Sequence, residues 1–166
     1  MKIAIIFNHK KLSGKLTRIF TGCYAYHIVW VDEGRGVMYD MHLIRRRRLW
    51  PQYKPEQVLL FDGFPQVTAG YLEHQLSTDE NTYGVVDYML FALRPLYHLF
   101  GKSTRNAGGM VCSGMLNVDA RNCGIETPWP IDGEEPSPCD WYNWLKTRAK
   151  EGETNGLANK RRSRDK

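Results

Sequence analysis

The chain has 166 residues, of which 42% are hydrophobic and 25% charged, an ordinary balance for one globular domain large enough to bury a core. The net charge is +5, and the positive charge gathers in two runs, Arg45, Arg46, Arg47 and Arg48, then Lys160, Arg161, Arg162 and Arg164. The first apolar run, Ile3 to Phe7, is stopped by Asn8, His9, Lys10 and Lys11, too soon for a secretory signal or a membrane span, so a cytoplasmic location at synthesis is expected.

In chain order, residues 2–7 predict a buried strand. Leu12, Leu16, Ile19 and Phe20 stand at helical spacing over residues 12–20, and Gly22 ends that helix. Residues 24–31 are β-branched and aromatic and predict a strand. The turn Asp32-Glu33-Gly34-Arg35-Gly36 leads into a return strand over 37–43, making a β-hairpin. The four arginines follow as a charge run, and Trp50-Pro51 breaks the chain. A short strand is predicted over 57–61, and a helix over 68–76 with Thr68 as N-cap. A longer apolar helix spans 83–100; Asp87, Arg94 and Pro95 within it argue against a membrane span. A polar loop covers 101–109. A helix is predicted over 112–122, closed by Gly124. The proline-rich stretch 127–138 is a loop, and residues 138–146 form a short last helix. The fold class is therefore α+β, with one domain over 1–150. The basic tail 151–166 is expected to be disordered, with a contact to nucleic acid or an anionic surface as its candidate role.

The four cysteines, Cys23, Cys112, Cys123 and Cys139, include no C-x-x-C pair and no Cys/His cluster at zinc-ligand spacing, so no metal is expected. Without a secretory signal a disulfide framework is not expected either, and Cys23, Cys123 and Cys139 are read as small buried hydrophobes. Cys112 differs. The Gly-rich Ala107-Gly108-Gly109 leads into it, and it opens a helix whose inward face is Cys112, Met115, Leu116, Ala120 and Cys123. A helix N-terminus offers free N–H groups and partial positive charge, which favour thiolate and can hold an oxyanion. His27 sits in the middle of a strand otherwise made of Tyr, Ile, Val and Trp. If the hairpin turns about Gly34 or Arg35, either Asp40 or His42 lies across from it and can fix its tautomer.

The order Thr21-Gly22-Cys23-Tyr24-Ala25-Tyr26-His27-Ile28-Val29, hairpin, Tyr39-Asp40-Met41 resembles the front half of the circularly permuted NlpC-type papain-like amidases and peptidases, relatives of the lecithin:retinol acyltransferase-like proteins. Thr82-Tyr83-Gly84-Val85-Val86-Asp87-Tyr88, Val111-Cys112-Ser113-Gly114 and Ser137-Pro138-Cys139-Asp140-Trp141 are similar to motifs of the family's back half, so that the resemblance covers about residues 1–146. Two positions depart from the pattern: Gly114 stands where the family commonly has Glu, and Asp40 stands in place of a longer Glu, with His42 as its rival. The resemblance implies a permuted papain-like fold, a small antiparallel sheet packed against helices. It implies a thiol hydrolase or acyltransferase in which Cys112 is the nucleophile, His27 the base and Asp40 the third member. It also implies that Tyr26, Tyr83 and Ser113 meet the substrate, an amide or ester, with peptidoglycan peptide among the candidates. Such chemistry needs no metal or organic cofactor. The alternative is a catalytically inactive relative serving as an interaction or phage virion structural protein, for which Gly114 is the main argument.

Overall fold

The computed structural model of the chain describes residues 1–7, 23–41, 44–78, 111–131 and 133–162, the last twelve by backbone alone, with a few single positions between 93 and 101. The helices expected over 12–20 and 83–100, the loop over 101–109, Tyr83 and His42 fall wholly or almost wholly outside the described residues. The described residues form an α+β arrangement: a five-stranded antiparallel sheet and three α-helices. The strands are β1 (Lys2–Phe7), β2 (Ala25–Asp32), β3 (Val37–Met41), β4 (Arg45–Leu49) and β5 (Val58–Asp62), in the spatial order β4-β3-β2-β1-β5. The helices are α1 (Ala69–Thr78), α2 (Cys112–Asn122) and α3 (Pro138–Arg162). Among the described residues no helix is long and apolar enough to cross a membrane.

The continuous apolar run of β1 is explained by its place inside the sheet, where both faces are covered. Ile3 and Ile5 join Ile28, Trp30, Tyr39, Met41, Met115, Leu116 and Trp141 in the core under the helices. Ala4 and Ile6 join Val29, Val31 and Met38 in a second cluster on the other face, flanked by Tyr26, Trp50, Tyr53 and Val58. The hairpin between β2 and β3 turns at Glu33 to Gly36. Asp32 Oδ1 accepts the Arg35 N–H at 3.1 Å, and Gly36 takes a φ of 63°, which glycine adopts without steric cost.

The arginine run is a strand rather than a solvated segment, and β4 pairs antiparallel with β3, Asp40 lying opposite Arg46. Pairing of each arginine with a carboxylate, buried Arg45 among them, overrides the low apolar content that the sequence presents there. Two helix ends are built from the punctuation seen in the sequence. Gly124 closes α2 with a φ of 78°, while Gly124 N–H bonds the Arg121 carbonyl and Ile125 N–H the Ala120 carbonyl, both at 2.9 Å. This is the paired pattern of a Schellman cap, with buried Ile125 as its apolar contact. At α3, Ser137 Oγ accepts the Asp140 N–H at 3.0 Å and Asp140 Oδ2 accepts the Ser137 N–H at 2.7 Å, a reciprocal capping box with Pro138 in the first helical position. α3 runs past residue 146, into the segment expected to be a disordered tail.

The cysteine assignment is corrected. Cys23 and Cys139 form a disulfide, their Cα atoms 6.0 Å apart, whereas Cys112 and Cys123 are free. The fold brings the approach to β2 beside the first turn of α3, a proximity across 116 residues that spacing along the chain cannot reveal.

Candidate active site

The sheet supplies the base. A register shift in the β1–β2 pairing, with Ile6 opposite His27 and Phe7 opposite Ala25, reorients the start of β2 just where His27 sits. Trp30 pairs with Tyr39, so the register carried one step further sets Asp40 opposite Val29, diagonal to His27. Across that diagonal His27 Nε2 and Asp40 Oδ1 are 2.7 Å apart. Asp40 is fully buried, and its other oxygen, Oδ2, faces Arg46 at 3.4 Å and Arg48 at 3.5 Å. Burial works against the charge of Asp40, but the His27 hydrogen bond and charge, with Arg46 behind them, hold its carboxyl below the usual range.

Helix α2 supplies the thiol. Val111 is its N-cap, in extended conformation and without a side-chain cap, so Cys112 is the first helical residue, 5% exposed. The first N–H groups of a helix have no acceptor within it. A side-chain hydrogen bond also links His27 to Cys112. Burial pushes the His27 pKa down, but the charge of Cys112 and the hydrogen bonds to Asp40 and Cys112 outweigh it and carry the value up to about 10. The expected members Cys112, His27 and Asp40 therefore meet, although they come from α2, β2 and β3.

Tyr26 stands beside this set, its ring stacked near His27 at 6.2 Å between centroids. Burial first, then the charges of Asp40 and Cys112, raise its phenol pKa. Ser113 is 1% exposed, and its carbonyl accepts the Trp141 Nε1–H at 3.0 Å, which ties the first turn of α2 to α3. Trp141 in turn packs with Trp129 and Trp144, which fixes the first turn of α2 behind the thiol. A Cβ added at Gly114 would lie 2.7 Å from the carboxyl carbon of Glu135, the movable end of a flexible side chain.

Three residues near the set were not singled out in the sequence: Arg46, Arg48 and Tyr53. Tyr53 follows the cis Trp50–Pro51 peptide; burial pushes its phenol up to about 12, the charges of Tyr26, Asp40 and Cys112 acting the same way and Arg48 against them. The alternation of Arg46 and Arg48 against Asp40 was the signal available, and it becomes visible once β4 is recognised as a strand. Comparison with protein-family models, with curated proteins and with solved structures finds no match.

Proposed function

We propose that the chain is a cysteine hydrolase or acyltransferase of the permuted papain-like, NlpC-type kind, acting on an amide or ester through an acyl-enzyme. One observation carries the reading: a continuous hydrogen-bonded series from Asp40 through His27 to Cys112, with the thiol on the first residue of a helix. In this reading the Cys112 sulfur attacks the carbonyl carbon, and N–H groups of the first turn of α2, that of Cys112 among them, receive the developing oxyanion. His27, held charged by Asp40 and Cys112, gives its proton to the leaving nitrogen or oxygen as the C–N or C–O bond breaks. Water or another acceptor then attacks the thioester, with neutral His27 taking the proton and Cys112 released. Peptidoglycan peptides are among the amides such a site can take.

Limited alkylation at pH 6 with peptide mapping tests the reading. Cys112 is expected to be modified before Cys123. His27→Ala is expected to slow its labelling by about 100-fold or more, and Asp40→Asn by less, since the third residue orients the base. Labelling of Cys112 that is no faster than that of Cys123 and indifferent to His27→Ala would overturn it and favour an inactive interaction or virion protein.

A further inference from the structure

The four arginines of β4 project to alternate faces of the sheet, and the two faces treat them differently. On the helix side each has a carboxylate of its own: Arg45 meets Asp119 at 3.0 Å and Arg47 meets Glu73 at 2.8 Å. On the other side Arg46 and Arg48 converge on one atom, Asp40 Oδ2, at 3.4 and 3.5 Å, long for charge-assisted bonds, while His27 holds Oδ1 at 2.7 Å. Among the described residues Arg46 Nε is buried without a hydrogen-bond partner, a rare state for a donor. Both side chains remain about one-third exposed, at 36% and 34%. If His27 and Cys112 form an ion pair their charges cancel, and among the described residues two guanidinium groups against one carboxylate leave an excess positive charge at the Asp40 end of the series. Tyr53 packs against the apolar cluster on the same face of the sheet.

Resting on the thiol reading above, we infer that Arg46 and Arg48 recognise a carboxylate on the substrate, so that the compound cut or transferred here is an anion. Two guanidinium groups suit a carboxylate in shape and charge, and the incoming anion supplies a second acceptor to a pair that shares one oxygen among the described residues. In the same way, positive charge lining a partly buried site concentrates anionic substrates and disfavours cationic ones.

Two alkylating agents that differ only in the anion test this without knowledge of the substrate. Iodoacetate and iodoacetamide each form an S–C bond to Cys112 with loss of iodide, one bringing a carboxylate and the other a neutral amide. The readout is the ratio of their rates at Cys112, divided by the same ratio for glutathione. The expected ratio is above one in the wild type and falls as salt is raised. It drops roughly tenfold in R46Q/R48Q, the low end of what charge-lined sites give, and partly in R48Q. It is unchanged in R47Q, which removes the same charge from the opposite face of the strand. A ratio that R46Q/R48Q does not move, or that R47Q lowers equally, overturns the inference. Should R46Q/R48Q not fold, R48Q and the salt dependence of the wild type decide. Failure of both reagents to label Cys112 overturns the thiol reading and this inference with it, a result distinct from labelling without anion preference.

Discussion

Burial pushes the His27 pKa down, but the influence of Cys112 and Asp40 outweighs it and raises the value to about 10. Removing one partner should therefore show directly: Cys112→Ala is expected to lower the His27 pKa from about 10, followed by NMR of the imidazole across a pH series. The sign for stability follows from the same shift. A histidine whose folded pKa lies above its ordinary 6.5 contributes stability that is fully present below pH 6.5 and is lost as the pH rises through about 10. Asp40 acts oppositely, contributing above its ordinary 3.8 and losing that contribution as the pH falls through its lowered folded value. Denaturant unfolding of the wild type between pH 6.5 and 10 should show the alkaline loss, and Cys112→Ala should flatten it. The pair Cys112 and His27 was legible in the sequence because a polar residue inside a β-branched strand and a cysteine opening an amphipathic helix both break a local pattern. Asp40 against His42 was not separable, since that choice depends on a register that a five-residue turn leaves open. Arg46, Arg48 and Tyr53 were hidden for a different reason: their roles depend on which face of the sheet they occupy.

At the scale of elements, β4 is the part of the sheet least visible in the sequence, because four charged residues imitate a solvated loop. Its anchoring depends on a buried ion pair. Asp119 of α2 is fully buried and takes the Trp30 Nε1–H at 3.0 Å as well as Arg45, so one carboxylate joins β2, β4 and α2. Arg45→Ala leaves that carboxylate without its cation and is expected to cost about 3–5 kcal/mol, measured by chemical denaturation. Arg47→Ala, at an exposed pair, is expected to cost no more than about 1 kcal/mol in the same assay. By contrast α2 ends where the sequence says it does, since Gly124 supplies the left-handed cap that stops a helix. Gly124→Ala is expected to cost about 1 kcal/mol through that strained conformation, although nothing lies close enough to clash with the added methyl. The Ser137-Pro138-Cys139-Asp140 segment, noticed first as a family-like motif, has a sufficient local cause in the capping box.

Across the whole molecule, sequence reasoning did not expect the Cys23–Cys139 disulfide, for it depends only on a proximity that folding creates. Thiol titration of the oxidised protein in denaturant is expected to find two reactive groups per chain, Cys112 and Cys123. Cys139→Ser is expected to lower stability by about 2–4 kcal/mol, given the length of chain the bond encloses. The disulfide also closes a covalent ring that contains His27, Asp40 and Cys112. Glu56 lies on an exposed stretch of that ring, between the strands that carry the base and the helix that carries the thiol. A single peptide cleavage after Glu56 would therefore put His27 and Asp40 on one fragment and Cys112 on the other while leaving both in one covalent molecule. The nicked protein should migrate as one band without reductant and as two with it, so peptide-bond continuity between base and nucleophile can be severed without letting them diffuse apart.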